Sequence, residues 1–429
     1  MEHEAVISVA SSSPSRADVL LRLFPAFAVP NFRRFVAGQS VSLVGSWTET
    51  VAQALLVLQV THSASAVGFV TAARYLPVLL ITPYAGLVVD RRDKRHILMI
   101  AATCLALLSL VQGILVLSGA IDLKAIFALA LAFGCLSALD NPARQAFIPE
   151  MVGKPLIRNA VTLNSTAVNV GRAVGPIVAA LLIVKIGIGW CFLVNAASFA
   201  AVLFALRTMD VSALYPAEPV KRATGQLVDG FRYALTVPTI IGPIAMMALI
   251  GTFTYEFEVT LPLFATIDLP GSPVTYSWLI GAFGLGSVLG GLYCLARPAT
   301  GMPRLYRTAL AYAAGMAAVS VAPSLSVAVP LLVGVGIASI IFITTGNSTI
   351  QLAAAPEYRG RVTALWSTAF LGSTPIGASI LGLIDAHSPR LGLVAGALAC
   401  VAAAAVGRHF ASKPAGSGVS PQVAHRRPE

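Results

Sequence analysis

The sequence predicts an all-α membrane protein: twelve transmembrane helices in two six-helix bundles, with both termini cytoplasmic. Three observations predict it. Hydrophobic residues make up 57% of the chain and charged residues only 11%, whereas soluble domains devote about a quarter of their residues to charge. Apolar runs of the roughly 20 residues that a spanning helix requires recur along nearly the whole length. The basic residues between those runs fall overwhelmingly on one side.

The spans are expected at 35–60, 65–89, 96–119, 123–146, 158–184, 189–207, 239–264, 276–296, 305–323, 328–352, 361–385 and 390–409. With the N-terminus inside, 24 of the 29 Lys and Arg lie in inner segments. The outer side keeps Lys124, Lys185 and Arg390, while Arg74 and Arg172 lie within helices. Cytoplasmic loops are enriched in Lys and Arg, and one missing helix would scramble this split. The net charge of +11 is therefore a topology signal rather than a nucleic-acid footprint. Residues 1–30 and 410–429 read as disordered cytoplasmic tails. Residues 31–207 form the first bundle, 208–238 a cytoplasmic linker and 239–409 the second bundle. Cys104, Cys135, Cys191, Cys294 and Cys400 all fall in apolar spans without a C-x-x-C pair. Neither a metal site nor a disulfide framework is indicated.

In the first span, Gln39, Ser42, Ser46, Glu49 and Gln53 recur at helical spacing and form one polar stripe. In the fifth, Thr162, Ser165, Asn169 and Arg172 do the same. Stripes of this polarity must face protein or water rather than lipid. A charge at the bilayer centre costs at least about 2.5 kcal/mol and so marks a pathway or a paired site. Glu49, Arg74 and Arg172 all sit at middle to outer-middle depth. Glu49 is expected either as a static partner of one arginine or as a cavity group that titrates with the transported proton.

Between the second and third spans lies the basic hinge G-L-V-V-D-R-R-D-K-R, Gly86 to Arg95. Gly86 permits close backbone approach at a helix end. Asp90 can sit against the N-terminus of a neighbouring helix, gaining roughly 0.3–1 kcal/mol from its dipole. Arg91, Arg92, Lys94 and Arg95 set topology, and Arg144 at the inner end of the fourth span is the natural cation for Asp90.

In the seventh span, Glu256 and Glu258 point to different faces because they are two residues apart on a helix. Thr252 and Glu256 share a face, so Glu256 is the expected cavity carboxylate and Glu258 reaches toward the outer interface. Trp47, Phe253, Tyr255 and Phe342 supply aromatic walls for a bulky amphipathic substrate. Gln53, Thr344, Asn347 and Ser348 are polar cavity candidates.

The halves repeat one another. L-D-N-P-A-R-Q-A-F-I-P-E and its continuation align with T-G-N-S-T-I-Q-L-A-A-A-P-E. Asn141 then matches Asn347, Gln145 matches Gln351, and Pro149-Glu150 matches Pro356-Glu357. Parallel six-helix repeats mark alternating-access carriers. The hinge is similar to G-x-x-x-D-[RK]-x-G-x-[RK]-[RK], the marker of the major facilitator superfamily, at Gly86, Asp90, Arg91 and Arg95. It departs at Asp93, where the superfamily has glycine. The fifth-span marker G-x-x-x-G-P is matched by Gly171, Gly175 and Pro176. N-F-R-R-F-V-A-G-Q, D-N-P-A-R-Q-A-F-I-P-E and N-V-G-R-A-V-G-P resemble the exporter branch that includes the enterobactin exporter and bacterial macrolide and multidrug efflux pumps.

The resemblance covers Asn31 to about Gly407. It implies rocking of the two halves, with Asp90 latching the inner faces against the eleventh span, near Arg361, in the outward-open state. The expected function is proton-coupled export of an amphipathic small molecule, a drug-like compound or a siderophore, across the cytoplasmic membrane. An importer of the same fold is the closest rival. A membrane enzyme is disfavoured, since all six His lie in tails, loops or helix ends, and a channel or receptor by the six-plus-six repeat. No cofactor beyond the proton motive force is implied. The expected partners are the small-molecule substrate and the lipid bilayer, with no nucleic acid, and the chain is expected to act as a monomer.

Overall fold

A computed structural model describes residues 24–215, 226–269, 273–297, 299–355 and 358–412. Excepted are the side chains of Pro83, Leu87, Asp90, Arg158, 226–230, Pro273 and Leu371. Both terminal tails expected to be disordered lie largely outside the described residues. What is described is all helical, without strands.

The first six spans are α1 (Pro30–Thr61), α2 (Ala64–Arg91), α3 (Lys94–Leu117), α4 (Leu123–Val152), α5 (Ile157–Lys185) and α6 (Gly189–Arg207). A short helix, α7 (Gln226–Thr236), lies in the linker. The seventh span is broken into α8 (Pro238–Phe253) and α9 (Phe257–Leu263), continued by a π-turn over Phe264–Asp268. Then follow α10 (Pro273–Ala296), α11 (Met302–Ser320) and α12 (Leu325–Ala353). The eleventh span is split into α13 (Arg359–Leu371) and α14 (Thr374–Asp385), and α15 (Pro389–Ala411) is last.

Eleven of these spans are long and apolar enough to cross a membrane. The remaining predicted span, α11, forms as a helix but opens with Arg304 and Arg307, which lowers its hydropathy. Its apolar face, with Leu305, Ala309, Tyr312 and Met316, is buried against α12 and α15.

The hinge departure has a structural purpose. Asp93 is the N-cap of α3, its carboxylate accepting from the amides of Arg95 at 2.9 Å and His96 at 3.3 Å. An acceptor there satisfies amides that no helical carbonyl reaches. Arg95 Nε donates to the Leu206 carbonyl at 2.7 Å, closing the C-terminus of α6, and Lys94 pairs with Glu150 at 2.7 Å. Asn31 exchanges two hydrogen bonds with the Asp210 backbone, at 2.8 and 3.0 Å. The basic-loop end of the first six spans is thus tied from Asn31 to Asp210.

Within the first six spans, α1 packs on α5 and α6, α2 on α4, and α3 on α6; in the last six, α10 packs on α12 and α11 on α15. Across the divide, α2 meets α14 and α5 meets α10, while α9 touches α1 and α2. Small residues make these crossings close. Gly68 lies on Gly382 and the Ala378 carbonyl, and Gly284 lies on Ala173, as in membrane helix pairs that lack a hydrophobic driving force.

Candidate functional site: a charged junction between the two halves

The crossings lie at the end of the molecule opposite the basic loops and at mid-depth. Gly68 is one turn into α2 from Thr61–Ser63, and Gly382 is one turn before the end of α14. Toward the basic-loop end, no comparable packing joins α4 to α12 or α5 to α13 among the described residues. There Thr162 and Ser165 on α5, Thr344 on α12, and Ser367 and Thr368 on α13 are exposed. The halves are closed at one end and parted, along hydroxyl-bearing faces, at the other.

Just below the closed end lies a polar junction. Glu258, on the short α9, accepts a hydrogen bond from the Tyr75 hydroxyl of α2 at 3.1 Å. Arg74, beside Tyr75, lines the same slot as Glu258, with Thr50, Gln53 and Thr71. The slot has a volume of ≈ 10 Å³, about the least that holds one water. Arg172 of α5 also acts electrostatically on Glu258. Its guanidinium lies 4.8 Å from the Trp47 ring centroid, and its buried Nε has no acceptor. Arg74 lies 4.0 Å over Phe133. Both arginines are thus held by aromatic faces, and neither is in an ion pair with Glu258 among the described residues.

The structure therefore corrects the expectation for the seventh span. Glu258, not Glu256, faces the junction between the halves. The periodicity from Thr252 to Glu256 assumes an unbroken helix, but helical geometry lapses between Phe253 and Phe257. Glu256 turns instead toward α14, where its Oε1 lies beside Gly377 and has no hydrogen-bond partner. Tyr255 turns into the second half, donating to the Ser339 carbonyl at 3.1 Å and meeting Tyr312 and Phe370 edge-on.

Glu49 is also placed away from both arginines and forms no ion pair among the described residues. Its Oε2 accepts from Ser109 Oγ and Asn195 Nδ2, each at 2.6 Å, so it faces α3 and α6 inside the first half. Gln53 bridges two roles: its Oε1 accepts from Gln112 on α3, while its side chain lines the slot. From sequence, Asn195 and Gln112 were legible only as polar residues in apolar spans. Tyr75 gave no signal beyond its place beside Arg74.

The remaining expectations resolve individually. Gly171 and Gly175 of α5 lie on Leu43 and on the Trp47 Cβ of α1, and the Thr48 hydroxyl donates to the Gly175 carbonyl at 3.0 Å. The Gly171–Gly175–Pro176 motif is where α5 and α1 come together. Arg144 pairs with Asp140 one turn earlier, an i,i+4 spacing visible in the sequence. The Asp90 side chain lies outside the described residues. Gly86 is half-buried and Arg91 exposed. Thr344 is exposed and hydrogen-bonds Cys294 of α10, and half-buried Asn347 accepts from Gln351 at 3.0 Å. An apolar groove of ≈ 640 Å³ between α2, α4 and α14, lined by Phe69, Leu76, Phe127 and Ile376 with Ser63, Ser65 and Ser379, has no charged residue in its lining.

The profile of the transmembrane secretion effector family matches residues 23–427. The chain belongs to that family, within the major facilitator superfamily. It is 26% identical over 375 residues to the enterobactin exporter EntS of Escherichia coli O157:H7, covering 86% of this chain and 87% of that one. It is 30% identical over 174 residues to the staphyloferrin A transporter of Staphylococcus aureus, covering 40% and 44% respectively. Solved structures share the fold. A D-xylose–proton symporter superposes with a TM-score of 0.71 at 16% identity, covering 90% of this chain and 98% of that one. An inward-facing bacterial homologue of the human lysosomal transporter Spinster gives 0.66 at 16%, covering 93% and 97%. The protein is a multi-pass transporter of the inner membrane, not an enzyme.

Proposed function

We propose that this transporter exports an amphipathic small molecule, siderophore-like or drug-like, by alternating access driven by inward proton movement. The observation that carries the reading is the asymmetry of closure. The halves meet at the end poor in Lys and Arg and part at the end rich in them. Basic loops lie in the cytoplasm, so the termini and the opening are cytoplasmic, and the cavity is poised to load from inside. Exposed hydroxyls on α5, α12 and α13 suit a substrate with polar parts, and Trp47, beneath the Arg172 guanidinium, is proposed as an aromatic wall. The relatives named as siderophore transporters support the same class. Closing the inner end brings the Asp90 hinge against α13, with Gly86 allowing the approach and Arg144 nearby. The chain acts as a monomer, since each half finds its partner within the same polypeptide.

Everted vesicles energised to an acidic interior test the reading, with a catecholate siderophore and a macrolide as probes. Accumulation of either probe, abolished by a protonophore, is expected. Energised uptake of these probes into intact cells would refute export, and protonophore-insensitive accumulation would refute proton coupling.

A further inference from the structure

Glu258 occupies a position unlike any other carboxylate described here. It belongs to the second half, yet its hydrogen-bond partner, Tyr75, and both nearby cations, Arg74 and Arg172, belong to the first. Glu49 and Asp140 are each bound within the first half. Asp268 is bound within the second by Arg390 at 3.0 Å, and Asp385 by Thr260 at 2.8 Å. An interaction that spans the divide is made or broken directly when the halves rock, so it can tie a protonation state to a conformation.

We infer that Glu258 is the coupling carboxylate of this carrier, and that its ionised form latches the outer end shut through Tyr75, Arg74 and Arg172. The inference rests on the proton-coupled reading above and names the residue that performs it. The latch is sealed where the two halves cross, in a slot too small for more than about one water. Charge attraction there escapes most of the screening that weakens surface pairs. A proton from outer water that binds a Glu258 oxygen forms an O–H bond and leaves a neutral acid. The attraction to the two arginines is lost, while Tyr75 can still hydrogen-bond. The same proton leaves to inner water when the carboxylate re-forms its contacts in the inward-open state. No other reactant is needed.

The break before α9 makes this arrangement accessible. With helical geometry lapsing after Phe253, α9 is free to lean on α1 and α2 rather than continue the line of α8. The other titratable and charged groups around Glu258 are few. Tyr276 on α10 faces it with its hydroxyl buried and unpartnered. Glu256, on the same segment, faces α14. Asp385 on α14 and Arg390 on α15 lie further out, bound to Thr260 and Asp268. Among the described residues Glu256 and Asp385 are the rivals for the titrating role, and the contacts of both lie within the second half, Glu256 beside Gly377 and Asp385 with Thr260.

Hydrogen exchange of the full-length protein in lipid nanodiscs tests the latch without substrate or gradient. The outer-end amides of 61–68 and 378–388 are compared with the inner-end amides of 84–96. In the wild type, moving from mildly alkaline to mildly acidic buffer should raise outer-end exchange severalfold and lower inner-end exchange. Glu258→Gln should show the acidic pattern at both pH values. Glu258→Asp should restore part of the pH response, and Glu256→Gln should keep all of it. A pH response that survives in Glu258→Gln, or is lost in Glu256→Gln, overturns the assignment. So does increased exchange at both ends in Glu258→Gln, which marks simple destabilisation. Failure of the vesicle assay with an intact pH response would refute the export reading and leave the latch standing.

Discussion

Replacing Gly175 by alanine isolates what the fifth-span glycine motif does. A methyl at this position meets the Trp47 Cβ and lies 3.0 Å from the Val44 carbonyl oxygen and 3.1 Å from the Thr48 amide. Two of these neighbours are backbone, so relief requires α1 and α5 to move apart. Such overpacking costs about 1–3 kcal/mol. Separation also weakens the 3.0 Å hydrogen bond from Thr48 to the Gly175 carbonyl, and interhelical bonds of this kind contribute about 0.6 kcal/mol in membranes. Alanine's better helix propensity offsets about 1 kcal/mol. The net expectation is a loss of roughly 0.5–2.5 kcal/mol. Gly291 on α10 supplies the control, because nothing lies within 4 Å of its added Cβ. Gly291→Ala should gain the propensity term alone and melt at or above the wild type. The two substitutions are chemically identical and should differ in sign. Thermal unfolding of the purified protein in detergent, followed by tryptophan fluorescence, measures both. If Gly175→Ala melts with Gly291→Ala, the close α1–α5 approach is not what the motif secures.

Three further outcomes follow from the same contacts. Glu49→Leu strands the Ser109 hydroxyl and Asn195 amide and should cost about 2–4 kcal/mol. Glu49→Gln keeps an acceptor, so it should melt near the wild type and still support vesicle accumulation; loss of accumulation at unchanged stability would return Glu49 to the coupling pathway. Arg390 donates to Asp268 and to the Ser320 and Ala322 carbonyls at 3.0, 2.6 and 3.1 Å. Arg390→Ala should therefore lower stability by about 1–3 kcal/mol, and lysine should rescue little because it lacks the planar fork. At the linker, the Ser212 hydroxyl and amide hold the Asp210 carboxyl below the usual aspartate range. A depressed carboxyl stabilises at neutral pH, and that contribution fades as pH falls below about 3.9 and through the lowered folded value. Ser212→Ala should move this fading to higher pH in an acid titration of the melting temperature.

The membrane architecture was legible because it depends on run length and loop charge, which survive any error of a residue or two. Even α11, with two arginines near its start, was placed from its own apolar run at 305–323 and the charge split around it. The site was less legible, for a local reason. Helical periodicity assigned Glu256 to the cavity, and the lapse between Phe253 and Phe257 exchanged its role with that of Glu258. Nothing in F-T-Y-E-F-E-V-T marks a break, since the nearest prolines are Pro243 and Pro262. Glu49 was found correctly as a buried charge on a polar stripe. Its partners were missed because a carboxylate held by Ser109 and Asn195 leaves no opposite charge for a sequence to display. Asp93, by contrast, was visible as a departure and became intelligible only as the N-cap of α3.

The ties at the basic-loop end of the first half give the carrier a mechanical asymmetry. Arg95 closing α6, Lys94 on Glu150, and Asn31 clasped to Asp210 make a stiff rim around α1, α3, α4 and α6. The second half has ties of its own at that end, Gly301 to Thr349 and Ala355 to Tyr233, but its seventh and eleventh spans are jointed at Thr254–Glu256 and at Gly372–Ser373. Load passing between the halves therefore falls on a rigid lever on one side and on two elbows on the other. The stroke of the transporter is expected to be bending in the second half, swung against a first half that turns as a block.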